Sequence, residues 1–203
     1  MNKILCRAAG LAILLIIILS VTQYLTKSNI QLAEQSYYNQ QLASLLQNIN
    51  YNNNLLQSTI QISDKQYLDY LGKKQPTQIT LAKFNNILNA VILNVTAPNG
   101  YNGNIDLLVA VKVDIAAKQH SVLQIKTIHH QETPGLGDFI DNDSWLQQFK
   151  SAFLNQFWGL KKDNKNNQFD SVTGATITSR AVTEAVQKSL LLLENHPEIL
   201  AHE

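Results

Sequence analysis

One cysteine, one methionine and four prolines are all that this 203-residue chain holds of those types. The single thiol, Cys6, closes no intrachain disulfide, and no Cys/His group has zinc or iron–sulfur spacing. Any redox work is therefore left to an organic cofactor or to a metal held by a partner. The missing disulfides leave the compartment open, because oxidising compartments also hold proteins without them. Charge is scarce as well: Asp, Glu, Lys and Arg make up 15% of the residues, with a net charge of +1. A nucleic-acid binder needs a basic excess on one surface, and this balance excludes it.

A long uncharged run is present instead. Residues 8–25 read AAGLAILLIIILSVTQYL. At ~1.5 Å per residue they span about 27 Å, close to the ~30 Å hydrocarbon core of a bilayer. Lys3 and Arg7 precede the run, which places a short N-terminus in the cytoplasm and the rest of the chain outside it. A cleaved signal peptide has the same basic start and apolar centre. Against it, no small-x-small cleavage site follows the run, and Cys6 lies before it, so there is no lipobox. The expectation is a retained single-pass anchor.

The remainder has room for one medium domain. We divide the chain into an anchor at 1–27, a linker or lead-in helix at 28–60 and an extracytoplasmic domain at 61–203. In the linker, Leu42, Leu45, Leu46 and Ile49 recur at helical spacing, and the Asn-rich stretch 48–54 marks a turn. Pro76 interrupts the mixed pattern of residues 60–84. Strands are expected over 90–95, 105–115 and 122–129, with a hairpin-like turn at Asn99-Gly100-Tyr101-Asn102-Gly103. Trp145, Phe149, Phe153 and Phe157, each four residues apart, predict a helix over 144–158. Residues 161–167 (KKDNKNN) read as a polar surface loop, and Val182, Ala185, Val186, Leu190 and Leu193 as the apolar face of a last helix ending near Pro197. The fold class is α+β, with an antiparallel or mixed sheet and packed helices.

Two segments carry chemistry. The first, 170–179, reads DSVTGATITS and runs into the last helix. A helix N-terminus favours a phosphate, Gly174 permits left-handed backbone angles, Ala175 adds little bulk and Thr176 offers an alcohol oxygen. Asp170 is placed to orient a hydroxyl or help bind a metal. The plainer alternative makes Thr176, Thr178 and Ser179 caps of the helix. The second segment, 129–138, reads HHQETPGLGD, with a tight turn at Pro134-Gly135 and an unencumbered Gly137. By itself it is equally a strand-to-helix connection. His129 and His130 make a poor metal chelate, because consecutive strand side chains point to opposite faces.

Asp170-x-x-Thr173-Gly174-Ala175-Thr176 closely resembles the Asp-x-x-Ser/Thr-Gly-Ala-Thr flavinylation motif of bacterial FMN-binding domains. With the N-terminal run, the Asn-Gly-Tyr-x-Gly turn, the His130–Asp138 segment and the Trp145/Phe149 region in order, the chain resembles the G subunit of the Rnf (or Rsx) ion-translocating electron transport complex. That resemblance implies FMN joined to Thr176 through a phosphoester, attached by a separate flavin transferase that uses FAD. It also implies that Glu132, Thr133, Leu136 and Gly137 lie beside the flavin. Leu136 is expected to pack on the isoalloxazine, Thr133 to bond its polar edge and Thr173 to contact the phosphate.

The implied role is electron relay in the inner membrane within a ferredoxin:NAD-type complex coupled to ion movement. The domain is then periplasmic, other Rnf/Rsx proteins are its partners, and it has no catalytic or metal site of its own. Two other readings stay open. The homologous C subunit of the Na⁺-translocating NADH:quinone oxidoreductase carries the same motif but is usually longer. A membrane-tethered assembly module without redox activity is the third.

Overall fold

The computed structural model describes residues 2–114, 119–155 and 157–200, with the side chains of 2–9, 11, 28, 29 and 31 outside that description. The end of the expected 105–115 strand therefore lies partly outside the described residues. The chain divides into two compact units, Met1–Gln41 and Leu42–Glu203.

The described residues of the first unit are all helical. Helix α1 runs Asn2–Ser44, and from Ala12 it is long and apolar enough to cross a membrane, with a mean hydropathy of 1.5 over its most apolar window. Ile13 to Leu19 all expose their side chains, as a lipid-facing helix does.

In the second unit the elements follow in the order β1 (Thr59–Ile62), α2 (Lys65–Tyr70), β2 (Thr77–Phe84), β3 (Ile87–Gly100), β4 (Gly103–Lys112), β5 (Ser121–His129), α3 (Asp143–Leu146) and α4 (Thr176–Asn195). The five strands form one antiparallel sheet in sequence order. Each is joined to its neighbour locally, so no crossover is needed.

The period-two pattern of β3 and β4 gives the sheet two apolar faces, because alternate side chains point to opposite sides. Val91, Leu93, Val95, Leu107, Val109 and Val111 face the main core with Val182, Val186, Leu190 and Leu193 of α4. Ala90, Ile92, Leu108 and Ala110 face the other way, against Leu42, Leu45, Leu46 and Leu55. The helical leucines read from the linker thus cover the second face. The expected turn is the Tyr101-Asn102 link between β3 and β4, with Gly103 at φ +122°.

The helix expected over 144–158 is not continuous. It is α3 followed by a 3₁₀ turn at Gln147–Phe149, after which Lys150 is extended and Ser151 sits at φ +63°. The reason is an edge. Ser151 N–H donates to Val122 O (2.7 Å) and Val122 N–H to Ala152 O (2.8 Å), so the chain leaves the helix to pair with β5. Trp145 and Phe149 still pack as a helical pair, and Phe149 stacks on Phe169 with centroids 4.5 Å apart. Phe153 and Phe157 are exposed.

Candidate functional site

Strand β5 ends at His129, and the following turn closes tightly: the N–H groups of Leu136 and Gly137 both donate to Thr133 O, at 3.1 and 2.8 Å. Gly135 takes φ +75°, the left-handed angle that glycine supplies at no steric cost. His130 fastens the turn from behind. Its Nδ1 accepts from the Glu132 N–H (3.1 Å), so Nε2 carries the proton and donates to Asp141 Oδ2 (2.9 Å). Among the described residues, no three His, Cys, Asp or Glu side chains gather as a metal site.

Glu132 is the polar centre of the site. The residue is only 5% exposed, and its carboxylate accepts from Thr178 Oγ1 (2.6 Å) and from the Asn102 N–H (3.1 Å). One side chain therefore ties the β3–β4 hairpin, the Pro-Gly turn and the first turn of α4 together. Two glycines make room for it. A Cβ on Gly137 would sit 2.7 Å from Glu132 Cβ, and one on Gly100 would sit 2.8 Å from Oε1. Asn102 also donates through Nδ2 to Thr133 Oγ1 (3.0 Å).

Opposite this turn, the threonine segment forms a β-turn. Ala175 N–H donates to Val172 O (3.0 Å), and Gly174, the third residue, takes φ +85° as a type II turn requires. A Cβ on Gly174 would meet Leu136 Cδ1 at 2.9 Å, so the two turns touch at a position only glycine fills without displacement.

The hydroxyls do not cap α4. Ala175 is the N-cap residue and makes no side-chain cap bond. Thr178 is committed to Glu132, while Ser179 donates back to Ala175 O (2.9 Å) and accepts from Val172 N–H (3.1 Å). Thr176 Oγ1 instead accepts from Lys162 Nζ (2.9 Å). The helix start keeps its positive end uncapped beside a half-buried alcohol.

Between the turns lies a pocket of about 140 Å³ lined by Tyr101, Glu132, Thr133, Leu136, Gly137, Gly174, Ala175, Ile177 and Thr178. Its floor is polar. Its rim is apolar and open: Tyr101, Leu136 and Ile177 are 65%, 44% and 48% exposed. Such a rim suits one face of a flat aromatic group with a few polar atoms fixed at its edge.

A family model described as an FMN-binding domain matches residues 100–191, the stretch that contains both turns and most of α4. The G subunit of the ion-translocating oxidoreductase complex of Aliivibrio fischeri is 35% identical, over 90% of this chain and 85% of its own length. Its counterpart from Haemophilus influenzae is 33% identical, over 94% of this chain and 88% of its own. The chain belongs to the family of G subunits of ion-translocating oxidoreductase complexes. A crystal structure of NqrC from Shewanella oneidensis shares the fold, with a TM-score of 0.50 and 21% identity over 70% of each chain.

In this G subunit, six of the residues singled out from sequence line the pocket: Glu132, Thr133, Leu136, Gly137, Gly174 and Ala175. Thr176 stands at the adjoining helix start. Thr173 is exposed at the turn apex and does not line the pocket. Asp170 is also outside it: its carboxylate pairs with Lys161 (3.0 Å), and its backbone is gripped by Trp145 and Gln148.

Sequence reasoning misses Thr178 and Lys162. Thr178 reads only as a cap, although it lies two residues past Thr176 and faces the buried carboxylate. Lys162 falls inside a stretch that reads as surface loop. It reaches the site because Leu160 and Phe169 bridge in parallel and fold the intervening loop against α4.

Proposed function

We propose that this protein carries FMN as a phosphoester on Thr176 and relays electrons within a membrane complex that couples their transfer to ion movement. The observation that carries the proposal is Thr176 itself: a half-buried hydroxyl, unused for capping, at the uncapped start of a 20-residue helix beside a polar-floored, apolar-rimmed pocket. The residues present fit the group. The helix start and Gly174 suit a phosphate, Leu136 and Ile177 suit the isoalloxazine face, and Thr133 and Glu132 supply polar atoms at its edge.

Flavin exchanges electrons with carriers of different kinds, and the chain contributes position and electrostatics. Attachment takes a flavin transferase with FAD as donor. The Thr176 Oγ1–phosphorus bond forms, the pyrophosphate P–O bond breaks, AMP leaves, and the hydroxyl proton passes to a base of the transferase. A tethered cofactor is not lost outside the cytoplasm. Lys3 and Arg7 before the apolar run favour that orientation, with α1 anchored in the inner membrane and the domain in the periplasm. Thr173 and Asp170, outside the pocket, are assigned to the phosphate side of the motif and not to the ring.

The 35% identity to a G subunit over 90% of the chain favours membership of an Rnf-type complex over a quinone reductase. The test is flavin retention after denaturation, with and without Thr176→Ala. A purified chain that stays colourless after co-expression with the transferase supports a non-redox assembly module instead.

A further inference from the structure

Three consecutive residues of the 160–169 loop each grip the segment that bears the attachment threonine. Lys161 Nζ pairs with Asp170 Oδ2 at 3.0 Å, Lys162 Nζ donates to Thr176 Oγ1 at 2.9 Å, and Asp163 receives the fork of Arg180 at 2.7 and 3.2 Å. The loop is not a loose tether. Lys161 N–H donates to Phe169 O (2.7 Å) and Phe169 N–H to Gly159 O (3.0 Å) at its base, and the N–H groups of Asp163 and Asn164 both close on Leu160 O, which sets Lys162 in a tight turn.

The charges separate the three roles. Arg180 is matched by Asp163, whose carboxyl it holds below its ordinary value, and Lys161 is matched by Asp170. Lys162 also feels the Asp163 charge, but it spends its hydrogen bond on a neutral hydroxyl, a poor return for an exposed ammonium in water. The pairing becomes favourable once that oxygen carries an anionic phosphodiester.

We propose that Lys162 is the positioning residue for flavin attachment, a reading that rests on the covalent role of Thr176. An ammonium only donates, so its bond to Oγ1 turns the threonine's own O–H away, toward the base that must take it, and leaves a lone pair for phosphorus. As the Oγ1–phosphorus bond forms and AMP leaves, the ammonium stands beside the phosphate oxygens and offsets their charge. After attachment it continues to screen the phosphodiester.

The experiment uses the full chain in detergent with a flavin transferase, FAD and Mg²⁺, and follows covalent flavin by fluorescence of denatured samples. K162A should slow initial labelling about tenfold or more, less than a buried oxyanion donor because the lysine is exposed. K162R should recover most of the rate, K161A should stay within about twofold, and melting temperatures of the unlabelled proteins should match. Wild-type labelling by K162A overturns the proposal. Slow labelling that K161A shares, or that comes with a lowered melting temperature, also overturns it and reduces Lys162 to a loop tie. An unlabelled wild type, or a labelled T176A, defeats the covalent role of Thr176 instead.

Discussion

Replacing Thr178 by valine keeps the volume of a buried side chain and removes one hydroxyl. Thr178 is 1% exposed and Glu132 is 5% exposed, and their oxygens are 2.6 Å apart. A hydrogen bond to a carboxylate contributes about 1.5–3 kcal/mol. Glu132 keeps its other donor, the Asn102 N–H, so the carboxylate is not stranded and a loss of about 2 kcal/mol is expected. For a domain of this size that lowers the melting temperature by about 4–8 °C. Thr178→Ser should recover most of it. Melting of the detergent-solubilised full chain, followed by circular dichroism, reads the effect. A double-mutant cycle with Glu132→Gln should give a coupling of about 1 kcal/mol or more, because the two groups share one contact. A T178V melting point within about 1 °C of wild type would refute the role of Glu132 as the tie between hairpin, turn and helix.

Gly174→Ala should cost about 1–2 kcal/mol in left-handed strain and add a clash with Leu136, so it should lower both stability and flavin labelling. Gly135→Ala, at φ +75°, has similar backbone strain but open space around its Cβ; an equal loss of stability from the two substitutions would argue against the Gly174–Leu136 contact. Burial pushes the Asp106 carboxyl up, but hydrogen bonds from Thr96 and Lys73 and the Lys73 charge outweigh it and hold it below its ordinary value of 3.8. A lowered carboxyl contributes stability above its unfolded pKa that is lost as pH falls through the folded value. The wild-type advantage over Asp106→Asn in urea midpoint should thus be full near neutrality and shrink below about pH 4; an advantage that does not change with acid would contradict the assignment.

Where local pattern and final packing agree, the sequence is readable. The alternation through Leu107, Val109 and Val111 and the 3.6-residue repeat from Val182 to Leu193 both survive into the core. The first two strands are hidden. Strands β1 and β2 are short or bulged, at Ala82/Lys83, and rich in Thr and Gln, so they carry little periodicity. The four spaced aromatics mislead because Trp145 and Phe149 do pack as a helix, while the break after them is imposed from outside by the edge of β5. The same division holds at the site. Glycines and threonines fixed to local turns can be read from the two motifs. Lys162 and Thr178 act on partners 14 and 46 residues away, and no local spacing reports such contacts.

The central claim reduces to one bond on one oxygen. The full-length chain, co-expressed with a flavin transferase, should run on a denaturing gel as a flavin-fluorescent band. Its Thr176 peptide should carry the mass of an FMN ester, and Thr176→Ala should abolish both signals. A wild-type band without flavin, or a T176A band that keeps it, would contradict the account.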